Sequence, residues 1–229
     1  MSSRPDLHID WCSHEAAQYA VMKWHYSKAM PCGKLVKVGA WENGRFIGAV
    51  LYGLGATPML CRPYGLAINE VSELVRVALA KHSSPVSKIL AFSLKMLRRA
   101  CPNLKVVVSF ADKNEGHHGG IYQATNWIYT GESSEAKFGV IDGKVIHPRT
   151  ISAMKKRGDS SLGNIEYILK QGKHRYVMPL DDDMRRQVEL LRKPYPKRVT
   201  STDSGVPDNQ SGGGGASPTV TLFEQEAQQ

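Results

Sequence analysis

Four side chains of this sequence could serve one reactive centre: the adjacent pair His25-Tyr26, together with Asp112 and Tyr122. Imidazole, phenolate and carboxylate donors held in one place would suit a divalent ion such as iron, with a coordination position left open for substrate. The pair also has a plainer reading, because His25-Tyr26 follows Trp24 where a helix is expected to end and could simply close it and pack on the indole. Arg76 falls inside a strand pattern, where a charge is costly unless it is paired or faces a ligand. It would neutralise a phosphate or carboxylate of a bound molecule, or else pair with Glu73 or Glu70. Ser109, near the end of an apolar strand, could orient a substrate, although a lone serine says little. His117 and His118 are loop neighbours, which seldom bind one ion together. One of them could act as ligand or general base; otherwise they are solvated surface.

These residues need a framework, and the hydrophobic pattern supplies one. Ser13 can cap a helix from His14 to Trp24. Leu35–Trp41 and Phe46–Gly53 read as two strands joined through Asn43-Gly44, a pair that accepts the positive φ angles of a tight hairpin. Glu73–Leu79 reads as a third strand. Ser84-Pro85 reads as N-cap and first residue of a long helix to Cys101, with Val86, Ile89, Leu90, Leu94 and Leu97 at helical spacing. Lys105–Phe110 lacks alternation, as expected of a strand covered on both faces. A short helix at Ile121–Thr125, a strand at Trp127–Thr130, and a hairpin of Lys137–Ile141 and Val145–His147 turned by Asp142-Gly143 follow. Arg149–Gln171 reads as a basic helical insertion stopped by Gly172. Lys173–Leu180 returns as a strand, and a helix from Met184 to Arg192 begins behind three aspartates, which favours its dipole. The expectation is one α/β catalytic domain over residues 1–192, with a mixed central sheet flanked by helices. From 193 to 229, Pro, Ser, Gly and Gln dominate, which predicts a disordered tail or linker.

Charge narrows the partner. The formal charge is +9, yet residues 201–229 hold four acidic side chains and no Lys or Arg, so the first 200 residues carry 30 basic against 17 acidic groups, a net +13. Such a surface suits a polyanion. Lys155, Lys156, Arg157, Lys173, His174 and Arg175 are the expected contacts to a nucleic-acid backbone, and Trp127, Tyr129 and Tyr122 could offer stacking faces. The cysteines, Cys12, Cys32, Cys61 and Cys101, show no CxxC spacing and no secretory leader precedes them, so free thiols in a reducing cytoplasm are expected. No apolar run approaches the ~20 residues that span a bilayer.

The order of elements resembles the GNAT, or acetyltransferase-like, fold, in which a strand, a loop and a helix start hold the pyrophosphate of acyl-CoA. Leu74–Leu79, then Ser83 and Ser84, then the helix from Pro85 occupy that place, and helix N-termini do bind anions. However, no glycine lies between Leu79 and Lys88, so the acyl-CoA signature is missing. The finer resemblance, over about residues 15–180, is to the Mom family of phage DNA-modification proteins. It rests on Trp24-His25-Tyr26-Ser27-Lys28, Glu73-Leu74-Val75-Arg76, Ser109-Phe110-Ala111-Asp112, His117-His118-Gly119-Gly120-Ile121-Tyr122-Gln123-Ala124, Asn126-Trp127 and Gly172-Lys173-His174-Arg175-Tyr176.

That resemblance implies conversion of adenine in duplex DNA to an N6-carbamoylmethyl form, by a phage-encoded enzyme in the host cytoplasm. It also implies an iron-type centre at His25, Tyr26, Asp112 and Tyr122. Restriction enzymes read N6 in the major groove, so a bulky group there blocks them, and reaching N6 calls for base flipping. The donor stays open between acyl-CoA and a glycine-derived molecule. The oligomeric state stays open too, a homodimer included. Two competing readings are an acetyl-CoA-dependent N-acetyltransferase acting on a small amine or protein, and a non-catalytic DNA-binding module.

Overall fold

The computed structural model describes residues 5–55, 57–146, 148–159 and 165–197. A seven-stranded mixed sheet runs in the order β1-β2-β3-β4-β5-β10-β6. Its strands are β1 (Leu7–Trp11), β2 (Leu35–Glu42), β3 (Arg45–Gly53), β4 (Val71–Leu79), β5 (Val106–Ala111), β6 (Ile128–Glu132) and β10 (His174–Pro179). Every neighbouring pair is antiparallel except β4 and β5. A parallel pair needs a crossover, and helix α2 (Val86–Ala100) provides it. The hairpin between β2 and β3 turns through Asn43 and Gly44, at φ 51° and 75°, as the sequence predicts.

Alternation along the strands divides the core. Val50, Tyr52, Val107 and Tyr176 point to the face covered by α2 and by the short helix α3 (Gly120–Gln123). Ala49, Leu51 and Ala78 meet Ala17, Ala20 and Val21 of α1 (His14–Trp24) on the other face. Val106, Val108, Ile128 and Val177 meet Met184 and Val188 of α5 (Asp182–Glu189) on that same face. The Ser13 hydroxyl accepts from the Ala16 amide at 3.1 Å, so the expected cap of α1 is in place.

A second, three-stranded sheet orders β8 (Lys144–Ile146), β7 (Ala136–Ile141) and β9 (Glu166–Lys170), with α4 (Pro148–Lys156) beside it. Ile151 of α4 fills the space above Gly139, where an added Cβ would lie 2.4 Å from its methyl. The helix expected over Arg149–Gln171 is therefore corrected. It ends at Lys156, Gly158 turns the chain at φ 69°, and Glu166–Lys170 is a strand paired with β7. Tertiary pairing of a β-prone Tyr-Ile-Leu run outweighs the helical charge pattern before it.

Three smaller corrections follow. Pro85, not Ser84, stands at the cap of α2, and no side chain bonds there. The polar start contains β1, an edge strand whose exposure hides its pattern. Residues 193–197 pack on the sheet: the Lys193 amide donates to the Tyr129 carbonyl at 2.8 Å and the Tyr195 hydroxyl to the Trp127 carbonyl at 2.7 Å. The remainder of the expected tail, 198–229, and residues 160–164 of the expected insertion lie outside the described residues.

Candidate active site in the split between two parallel strands

Strands β4 and β5 pair only from Val71/Val106 to Leu74/Ser109. Beyond that point β4 continues to Leu79 and β5 to Ala111 without pairing, so the two part at their C-terminal ends, where open α/β sheets hold ligands. The cause is local. The register of β3 with β4 jumps from Leu51↔Arg76 to Tyr52↔Leu74, leaving Val75 as an extra residue, and such a bulge bends and twists its strand. At the fork the buried Ser109 hydroxyl bridges the Leu74 carbonyl at 2.9 Å and the Tyr122 hydroxyl at 2.8 Å. It closes the ladder where pairing stops.

On the β4 side lies Arg76, half-buried. Its Nε and Nη2 donate to the Ala29 carbonyl at 3.3 Å each and Nη1 to the Val75 carbonyl at 2.7 Å. The guanidinium thereby ties β4 to the loop leaving α1. That loop carries His25, buried beyond the end of the helix, and Tyr26, whose ring lies 4.3 Å from the imidazole and 5.2 Å, edge-on, from His117. Burial is the main force on His25, and the charges of Arg76, His117, Lys28 and Lys173 add to it, bringing its pKa down to about 3. The ring is neutral at pH 7. Its Nδ1 accepts the Ser27 amide at 3.1 Å, so the proton resides on Nε2. Ser27 stands in the Trp24–Lys28 string of the family resemblance, but no role was expected of its side chain.

On the β5 side lies Asp112. One carboxylate oxygen accepts from the amide and side chain of Asn114 at 3.0 and 2.9 Å, and the other lies 2.7 Å from Lys173 Nζ. Burial alone would raise its pKa, but these donors hold it below the usual carboxylate range. Burial pushes the Tyr122 phenol up to about 12. Tyr26, although 43% exposed, is pushed to about 12 by burial and by Asp112, against the pull of Arg76. Both phenols are protonated at neutral pH.

The structure thus gathers His25, Tyr26, Arg76, Ser109, Asp112 and Tyr122 around one split. Among the described residues no group of three or more His, Cys, Asp or Glu side chains could hold a metal ion. As folded, Asp112 is held by Lys173 and Asn114, Tyr122 by Ser109, and His25 Nδ1 by the Ser27 amide. Arg76, Lys28 and Lys173 place positive charge around His25.

A model of the Mom protein family matches residues 6–197. The chain belongs to that family. It is 27% identical over 204 residues, 84% of each chain, to the methylcarbamoylase Mom of Escherichia phage Mu. Among solved structures it is similar to FeeM, an N-acyl amino acid synthase from uncultured soil microbes, at 13% identity, covering 82% of this chain and 96% of that one, TM-score 0.47. It is also similar to an aminoglycoside N-acetyltransferase at 10% identity, covering 76% and 97%, TM-score 0.45.

Other expected site residues of this Mom-family chain are placed differently. The amides of Ser83 and Ser84, expected to hold a cofactor's anion, donate to the Glu42 carboxylate at distances from 2.7 to 3.2 Å. A side chain of the protein already fills that place. Lys155, Lys156 and Arg157 are exposed at the end of α4. Alternation turns the buried His174 away from Lys173 and Arg175, and each of those two cations has a partner within the protein. Lys173 serves Asp112, His174 is buried 3.1 Å from the Tyr129 hydroxyl, and Arg175 donates to the Thr130 hydroxyl and carbonyl at 2.9 and 3.1 Å. Trp127, Tyr129 and Tyr122 are buried around Tyr176, with no face for a base. Tyr26 is the exposed aromatic at the split.

Proposed function

We propose that this protein is a DNA-modifying transferase that converts adenine to an N6-carbamoylmethyl adenine, which protects phage DNA in the host cytoplasm from restriction. The observation that carries the reading is the Mom-family match along the whole folded domain, with the matched segment supplying every side chain around the split. The body's net +13 supports duplex DNA as substrate. A flipped base would meet Tyr26 at the mouth, and its N6 would lie toward Asp112. As the N6–CH2 bond forms, the donor's bond from that methylene to its leaving group breaks and the leaving group departs with the electron pair, and Asp112 is the carboxylate that would accept the proton lost by the exocyclic amine. His25 Nε2–H and Arg76 would stabilise negative charge on the donor.

The donor is a small molecule with an anionic or developing-anionic carbonyl group; acyl-CoA and a glycine-derived molecule both have one. Glu42 in the anion place before α2 favours the glycine-derived class over acyl-CoA. Iron or another divalent ion would bind here only after Lys173 released Asp112 and His25 changed tautomer, and no step above passes through a metal.

The test is mass spectrometry of nucleosides from plasmid DNA of bacteria expressing the protein, beside Asp112→Asn and His25→Ala. A heavier deoxyadenosine, absent in both variants, is the expected result. Unmodified DNA in well-expressing cells overturns the proposal.

A further inference from the structure

We infer that β9 is a self-pairing edge, and that its partner is a second copy of this chain. Among the described residues β9 pairs with β7 alone, so its far margin offers unpaired backbone groups. Proteins usually blunt such a margin with proline, a bulge, an inward charge or a covering segment. β9 has none of these within Glu166-Tyr167-Ile168-Leu169-Lys170, whereas the β6 margin of the main sheet is met by Lys193. Its apolar side chains are open: Tyr167 is 52%, Ile168 38% and Leu169 61% exposed, and the last three of Lys137, Tyr167, Ile168 and Leu169 line a groove with the first.

The order of these five residues names the occupant. Antiparallel pairing of β9 with itself about a two-fold axis at Ile168 sets Glu166 opposite Lys170 of the partner, Lys170 opposite Glu166, and Tyr167 opposite Leu169 twice. Both charge pairs are of opposite sign and both apolar pairs are large, which is the self-complementarity that an isologous interface needs. The product would be one continuous six-stranded sheet. A polyanion gains nothing from this strand, because its two charges cancel.

The experiment is sedimentation velocity of the full chain across a wide concentration range. Wild type should pass from monomer to dimer as concentration rises. Glu166→Lys, at an exposed position, and Lys170→Glu, at a half-buried one where Nζ lies over the Phe138 ring, should each weaken self-association by about tenfold or more through facing like charges. An equimolar mixture of these two variants should regain the dimer, since every facing pair is then of opposite sign. A wild type that stays monomeric, or a dimer indifferent to both charge reversals, overturns the inference. So does a chain that is monomeric throughout but loses DNA binding in the variants, which would make β9 a nucleic-acid surface. The readout is mass, so it stands apart from the DNA-modification reading.

Discussion

Lys173 Nζ lies 2.7 Å from the Asp112 carboxylate, and the two residues stand at the ends of paired strands, one step past the His174↔Ala111 register. The sheet itself therefore holds this carboxylate and the cation that keeps it ionised at a fixed distance. Asp112→Asn should abolish adenine modification, with a fall of at least about 100-fold, while the melting temperature changes little because Lys173 is partly solvated. Quantitative nucleoside mass spectrometry beside thermal melting checks this. Because the Asp112 pKa is held below its ordinary value, activity should show no carboxylate titration between neutrality and the ordinary carboxylate range.

His25 makes stability depend on pH. Its folded pKa, about 3, lies below the ordinary 6.5. Between those values the unfolded chain binds a proton that the native state refuses, so stability rises with pH through that window and is lost as pH falls below about 6.5. The expected slope from this one residue is on the order of 1 kcal/mol per pH unit. Urea denaturation from pH 4 to 7 should show that slope in wild type and lose it in His25→Gln.

Ser109→Ala leaves the Leu74 carbonyl and the Tyr122 hydroxyl without their shared partner in a buried place. A loss of about 1–3 kcal/mol in unfolding free energy is expected. Tyr122→Phe should cost less, and the double variant should cost less than the sum of the two, because both remove the same bond. Additive losses in a denaturant series would contradict the coupling.

Glu42 bears on the donor. Wild type should show no stabilisation by coenzyme A in a thermal-shift assay, because Ser83 and Ser84 already donate to a carboxylate. Glu42→Ala exposes those amides and should gain a weak, salt-sensitive shift with inorganic pyrophosphate. A clear shift in wild type would revive the acyl-CoA reading.

Gly119 tests packing under the site. It stands at φ 82°, and an added Cβ would fall 2.2 Å from the Tyr176 ring. Gly119→Ala should destabilise the fold by several kcal/mol, on the order of 2–4, from overpacking and backbone strain together. Its melting curve relative to wild type provides the check.

The sequence and structure agree where the signals are local. Ser13, Asn43-Gly44 and the Ile89/Leu90/Leu94/Leu97 repeat each act within a few residues, and each predicted element is present. His25, Tyr26 and Asp112 were legible as a set because each stands at the end of such an element. What local patterning cannot show is a partner distant in the chain. Glu42 lies 42 residues from Ser84, and nothing near either residue marks their bond. The bulge at Val75 exists only because β3 and β4 pair out of step, a property of two strands rather than one. Gly158 ends the basic run Lys155-Lys156-Arg157, but that Glu166–Lys170 is a strand is decided by its pairing with β7. Lys173-His174-Arg175 looks like a basic patch when read as a string, yet a strand turns the middle residue, His174, away from its two neighbours and into the core.

The fork after Leu74 and Ser109 divides the protein into two jaws. His25, Tyr26 and Arg76 come from the chain before α2, and Ser109, Asp112, Tyr122 and Lys173 from the chain after it. Neither half holds the whole set. A cut in the exposed turn at Pro102-Asn103 would therefore yield two inert pieces whose only route to activity is reassembly. The enzyme is in this sense a natural candidate for a split reporter, in which a mark written on DNA records that two tethered fragments have met.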